Sequence, residues 1–252
     1  MNKNRFDDIS AYIREHKRVA LSELTEVFSI SMPTLRRDLK KLQEMGVIHK
    51  VYGAVESCSE RNLTPLSARI DINHKGKFRI ARDAALRLCD GDVIFLDSGS
   101  TVGAMAPFLG RLQRLTVITN NILVIEKVIR LPKVELITLS GQYNRHTFSF
   151  VGDEVVPMLR RYNISKAFMG TTGLSVSSGI THAYIHEGAV KRSAVELAQE
   201  TFLLADHLKF STFAPYTYCS IADIDEIFTD EEPDPQYRAW CEDNHTKIAV
   251  AR

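Results

Sequence analysis

No stretch of this chain is both apolar enough and long enough to cross a bilayer as a helix, which takes about 20 residues, so a membrane-spanning protein is not expected. The opening residues Met1-Asn-Lys-Asn-Arg-Phe-Asp-Asp8 contain no apolar core of the kind a secretion signal needs. Cysteine is scarce. Cys58, Cys89, Cys219 and Cys241 form no CxxC pair, which removes the common zinc and dithiol patterns. An excess of charge of one sign is also missing. Lysine plus arginine number 32 against 31 acids, so any attraction to nucleic acid has to come from local placement of charge. These absences lead to the expectation of a soluble, cytoplasmic protein with reduced thiols. The apolar fraction, 44% of 252 residues, is sufficient for an ordinary core and too high for a disordered chain. The length suits one large or two modest domains. No internal repeat or low-complexity segment is visible.

The most informative stretch runs from Val19 to Ala54. Ser22 is expected to cap a helix over 23–28, and Ser29-Ile30 to break it. Ser31 then caps a second helix with Pro33 in its first turn, where a missing N–H costs little. Leu35, Leu39 and Leu42 recur at i, i+4, i+7 and form an apolar stripe. Thr34, Arg37 and Lys41 fall opposite that stripe, flanked by Arg36 and Lys40. Gly46 ends the helix, and residues 47–55, with His49 and Lys50, can form a hairpin. An earlier helix, Arg5 to His16, carries Phe6, Ile9 and Ile13 on one side, to pack on Leu24 and Leu35. Helix, turn, basic helix and basic hairpin is the layout of a winged helix-turn-helix whose second helix enters the DNA major groove. A basic helix face is more often just a solvated surface. Here the charge lies opposite the stripe, the capped end carries polar residues, and a basic hairpin follows at once, which favours DNA.

Residues 57–73 show no clear period and read as a linker between a DNA-binding domain over 1–56 and a second domain over 74–252. From His74 onward, helical and strand-like runs alternate, which predicts a mainly parallel sheet with helices on both faces. Ligands bind such sheets beyond the carboxyl ends of the strands. Those ends read Asp97-Ser98-Gly99-Ser100-Thr101, Thr119-Asn120-Asn121, Gly141-Gln142 with Arg145 beyond, Thr171-Thr172-Gly173, and Asp206 with Lys209. The Ser98–Thr101 turn joins a strand to a helix start, where exposed N–H groups favour an anion. A plain helix cap explains the same residues, but the other polar strand ends converge on that side. Glu187 and Lys191 are spaced i, i+4 on one predicted helix. The bland account is a surface ion pair of about 0.3–0.5 kcal/mol; the alternative is a ligand role. His182 and His186 share that spacing, but no further ligands support a metal, and no cofactor is expected.

These residues resemble the DeoR family of bacterial transcription regulators. The N-terminal motif is Ser31-x-x-Thr34-x-Arg36-Arg37-Asp38-Leu39 with Leu42, Gly46 and a Gly-Ala wing, in which Tyr52 stands where the family has a second glycine. In the second domain it is Asp97-x-Gly99-Ser100-Thr101, Thr119-Asn120, Gly141-Gln142, Val151-Gly152, Glu187-x-x-x-Lys191 and Asp206-x-x-Lys209-Phe210. The resemblance implies a sensor domain similar in fold to ribose-5-phosphate isomerase, with a phosphorylated sugar as effector. The Ser98–Thr101 loop would hold the phosphate, and Glu187, Lys191, Asp206 and Lys209 the sugar hydroxyls. It also implies a repressor of a sugar operon and a homo-oligomer on symmetric operator DNA. Two rivals remain. One is an active sugar-phosphate isomerase, which would need a carboxylate in the Thr171–Gly173 loop, where none stands. The other is a second domain that only oligomerises.

Overall fold

The computed structural model describes residues 3–16, 18–44, 48–51, 53–57 and 66–252. The Phe6 side chain, Gly46, Tyr52 and Cys58, named above, lie outside the described residues.

The N-terminal part consists of α1 (Lys3–His16), β1 (Arg18–Ala20), α2 (Leu21–Val27), α3 (Met32–Glu44), β2 (Ile48–Val51) and β3 (Ala54–Ser57). The apolar stripe works as expected. Ile9 and Ile13 from α1 meet Leu24, Leu35, Leu39 and Leu42 in one small core, all fully buried. Each such side chain contributes about 1.5–3 kcal/mol on burial. Strands β2 and β3 form the wing hairpin, and β1 adds to it in the order β1-β3-β2. Ser31 accepts the Thr34 N–H at 3.4 Å, so it caps α3. The expected cap at Ser22 is not used. Helix α2 begins at Leu21 after Ala20, without a side-chain cap, and Ser22 lies inside it. Pairing of Ala20 with Ala54 in the sheet sets that start instead. The salt bridge from Arg5 to Asp38, 2.9 Å, ties α1 to α3 and fixes the rotation of the basic helix.

The remaining chain comprises α4 (Leu66–Asp71), α5 (His74–Ala85), β4 (Val93–Leu96), α6 (Ser100–Gly103), β5 (Leu115–Thr119), α7 (Ile122–Val128), β6 (Val134–Thr138), β7 (Gln142–Asn144), β8 (Ser149–Val151), α8 (Val155–Leu159), β9 (Ile164–Gly170), β10 (Gly173–Ser175), β11 (Gly179–His182), α9 (Ile185–Leu197), β12 (Ala198–Leu204), β13 (Tyr216–Cys219), β14 (Glu226–Thr229), α10 (Pro235–Asp243) and β15 (Lys247–Val250). Seven strands form one sheet in the order β15-β14-β12-β9-β4-β5-β6. Every pairing in it is parallel.

Alternation along the central strands divides two cores. Ile94 and Leu96 point with Phe168, Phe202 and Leu204 to the face covered by α5 and α7. Phe95, Ala167, Met169 and Leu203 point to the face covered by α8, α9 and α10. This is the double layer that a buried parallel sheet requires. The hairpin β7-β8 and the three-stranded antiparallel sheet β10-β11-β13 were not foreseen from the sequence. Their strands are short, three or four residues each, too brief for a period to show. Part of the stretch read as a linker is ordered as α4, whose Leu66 is fully buried. Cys89, Cys219 and Cys241 are free thiols.

Candidate functional site

Sheet order decides where the pocket forms. From β4 the chain moves outward through β5 and β6, then returns to place β9 on the other side of β4. The carboxyl ends of β4 and β9 are therefore the topological switch point, where the outgoing loops part and leave a crevice. A cavity of about 20 Å³ sits there, lined by Arg69, Ser98, Gly99, Ser100, Thr101, Val102, Thr147, Gly170, Thr171, His182, Glu187, Lys191 and Lys209.

The β4–α6 loop is held tightly. Gly99 adopts φ +119°, a region that L side chains rarely enter. Gly170 brings the β9 backbone so close that a Cβ there would stand 2.9 Å from Ser98 O. Asn121 supports the loop from beneath, donating to Asp97 O at 2.9 Å and Gly99 O at 3.2 Å while its oxygen caps α7 through Leu123 N–H. Helix α6 has only four residues, so its macrodipole is small. Attraction for an anion has to come from the cations around it.

The sequence paired Glu187 with Lys191. Both are buried, and each has a different partner. Lys191 donates to Asp97 and, at 3.2 Å, to Gly170 O, with its ammonium 5.4 Å from the centre of the Tyr218 ring. Glu187 accepts from Ser149 and from His182. Ser149 in turn bonds Thr147 at 2.8 Å, and Thr172 lies 3.3 Å from the other His182 nitrogen. Burial opposes ionisation of Glu187, yet His182, Lys191 and Ser149 together bring its carboxyl down to about 2. Burial, reinforced by Lys191, pushes the His182 pKa down. His182 and the Glu187 carboxylate form a buried, hydrogen-bonded pair. The buried network thus joins β8, β11 and α9 behind the cavity.

A folded carboxyl held this low stabilises the protein above its unfolded value near 4.5 and loses that contribution as pH falls toward 2. The melting temperature of Glu187→Gln should therefore lie below that of the parent at pH 7. The gap should narrow as pH is lowered from 5 to 3. A gap independent of pH would show that the carboxylate charge is not what stabilises.

Of the residues singled out in the sequence, Ser98, Gly99, Ser100, Thr101, Thr171, Glu187, Lys191 and Lys209 line the cavity. Four do not. Asn120 is buried with its amide donating to Phe150 O at 3.0 Å, so it pins β8. Gln142 and Arg145 are exposed around β7. Asp206 is buried behind the lining, where it raises the pKa of Lys209 against the lowering by burial. Both of its oxygens are without a hydrogen-bond partner. The Thr171 hydroxyl is 2.8 Å from two backbone carbonyls, so it serves mainly the turn. Arg69, Thr147 and the pairing of His182 with Glu187 were missed. A lone arginine in an aperiodic stretch gives no signal. His182 precedes the start of α9, so its helical spacing from His186 has no meaning in space. Among the described residues, His207, Asp230 and Glu231 could together approach a metal ion. Asp230 is already bonded to Asn73 and His207 there, and none of the three lines the cavity.

Ser31, which caps α3, is exposed, as are Arg36, Arg37 and Lys40 on the helix, and Thr34 and Lys41 are half-buried. Lys50 is exposed on the wing. Basic residues thus share the side of α3 turned away from Leu35, Leu39 and Leu42.

A winged helix, in one chain with a parallel α/β domain that has cations gathered at its switch point, defines a DNA-binding regulator with its own sensor. Residues 5–61 match the DeoR-like helix-turn-helix domain and residues 72–231 the DeoR C-terminal sensor domain. The chain belongs to the DeoR family of transcriptional regulators. It is 36% identical over 251 residues to the HTH-type transcriptional regulator IolR of Bacillus subtilis, covering 100% of both chains. It is 27% identical over 246 residues to the glycerol-3-phosphate regulon repressor of Escherichia coli, covering 98% of each. Among solved structures, ribose 5-phosphate isomerase A from Methanocaldococcus jannaschii superposes with a TM-score of 0.40 at 19% identity over 55% of each chain. No described helix is long and apolar enough to cross a membrane.

Proposed function

We propose that this regulator represses a carbohydrate-catabolism operon and that a phosphorylated sugar, bound at the β4–β9 switch point, controls it. The observation that carries the reading is the cavity itself, where a glycine-bent loop that opens a helix meets Arg69, Lys191 and Lys209. Such a site suits an anion with hydroxyl groups beside it. The nearby Asp206 carboxylate, with both oxygens unpartnered, is suited to accept hydroxyl hydrogens. Names of relatives fit this reading, among them the glycerol-3-phosphate regulon repressor. Operator binding is assigned to Ser31, Thr34, Arg36, Arg37, Lys40, Lys41 and Lys50. A homo-oligomer would present two winged helices to a symmetric operator.

An isomerase is disfavoured by the proton chemistry. Among the described residues, Glu187 is the one carboxylate lining the cavity, and at about 2 its pKa is too low for an effective base near neutral pH. Incubation with ribose 5-phosphate should give no ketose above background.

The test is operator titration with and without a panel of triose to hexose phosphates. At least one should change operator affinity, and the non-phosphorylated sugars should not. If none does, the sensor reading loses its support. In the same assay Arg37→Ala should weaken specific operator binding by about 1–3 kcal/mol, because Arg37 faces outward near the capped end of α3. Arg36→Ala should weaken binding to all sequences and flatten the salt dependence. Parent-like operator affinity in Arg37→Ala would remove that residue from the reading set.

A further inference from the structure

Among the described residues lining the cavity, Arg69 is the one that comes from neither the seven-stranded sheet, its connections nor α9. It stands on α4, the first described element after the wing strand β3. Its Nε is buried and has no hydrogen-bond partner. Guanidinium stays protonated in proteins, so Arg69 is a half-buried cation that lines a polar crevice and has an unused, buried donor. Glu187 is the charge that most offsets the burial of Arg69, but its oxygens already accept from Ser149 and His182. Lys191 is paired with Asp97. Arg69 therefore brings an unfilled donor to the cavity, and its planar fork is matched to phosphate oxygens.

The attachment of α4 gives this a consequence. Its front is fixed by the buried Leu66 side chain and by Leu66 N–H donating to His146 O at 3.0 Å. Its rear is fixed by Lys77, a buried lysine whose ammonium donates to Arg69 O and, at 2.7 Å, to Ile72 O. Asn73, at the next turn, donates to Asp230 at 2.7 Å. The cavity of about 20 Å³ holds roughly one water molecule. A sugar phosphate is far larger and the crevice opens to solvent, so a bound one either reaches out past the lining or shifts part of it. Gly170 is held in the parallel ladder and the β4–α6 loop by Asn121, whereas α4 is a six-residue helix held at its two ends.

We propose that Arg69 orients the effector's phosphate and that α4, through Arg69 and Lys77, transmits pocket occupancy to the DNA-binding domain. The proposal rests on the sugar-phosphate reading above and adds the route of regulation. A ligand acts only through its different affinity for two states. Here the two states differ in how α4 sits on the sensor domain, and the phosphate favours the one in which the Arg69 donor is filled.

The test uses the full chain, with inorganic phosphate and the triose-to-hexose phosphate panel as probes. Thermal protection reads binding, and operator titration reads response. With the panel member that acts on the parent, Arg69→Gln should lower affinity at least tenfold. Arg69→Lys, which keeps the charge and loses the fork, should fall between the two. Lys77→Met, close in shape and uncharged, should keep ligand affinity within about threefold while the operator response drops by most of its range. Parent-like phosphate affinity in Arg69→Gln overturns the role of Arg69. A full operator response in Lys77→Met overturns the role of α4. If no probe protects the parent or changes its operator affinity, the effector reading fails first and this inference with it.

Discussion

Replacing Lys191 by methionine should destabilise the sensor domain by about 3–5 kcal/mol, the cost of leaving one member of a buried ion pair alone. Lys191 and Asp97 each have side chains about 1% exposed. Without the ammonium, the Asp97 carboxylate keeps the Gly170 N–H at 2.8 Å as its main donor, in a site water does not reach. A surface pair, as the i, i+4 spacing of Glu187 and Lys191 suggested, would cost less than about 1 kcal/mol. Burial decides between the two magnitudes. Adding Asp97→Asn to Lys191→Met should recover part of the loss, since no charge is then left buried. Urea denaturation of the parent and the two variants measures both differences. A loss under 1 kcal/mol in Lys191→Met would mean the pair is not closed off from solvent.

The second large effect is expected at the β4–α6 loop, where the phosphate is proposed to sit. Ser100→Asp should lower sugar-phosphate affinity on the order of a hundredfold, about 2.7 kcal/mol, and leave the fold intact. Gly99 is the tempting position, because an acid there would also face the anion. Its φ of +119° makes any side chain at that position strained, so lost binding could not be separated from a distorted loop. Ser100 begins α6 and is half-buried at the cavity edge. An acid suits a helix start, whereas a carboxylate beside a phosphate is repelled in a partly desolvated site. Calorimetric titration of parent and variant, with circular dichroism as the fold control, gives the comparison. Tight binding by Ser100→Asp would place the phosphate elsewhere in the pocket.

Much of this regulator was legible from local pattern. The leucine stripe of α3 appeared at helical period because a helix that packs on one side must repeat its apolar residues every three or four positions. The central strands appeared as short apolar runs because both faces of a parallel sheet are covered. Of the polar strand ends, those after β4 and β9 lie at the cavity, because the chain reverses its course across the sheet between these two strands. The expected cap at Ser22 failed because sheet pairing of β1, a nonlocal contact, set where α2 begins. The strands β7, β8, β10, β11 and β13 failed for the same reason, being short and defined by partners far along the chain.

Sequence alone determined the two-part architecture, the exposed basic face of α3 and the glycine-bent loop after β4. Each of these depends on neighbours within a few residues, so the order of side chains is enough to specify it. Tertiary structure decided which charges meet. Lys191 pairs with Asp97, 94 positions away. Glu187 takes His182 and Ser149 instead of its helical neighbour, and Arg69 enters the pocket from a stretch that looked like a linker. Partner choice among charged groups depends on distance and on loss of solvent, and both are set only when the sheet order brings β4 beside β9.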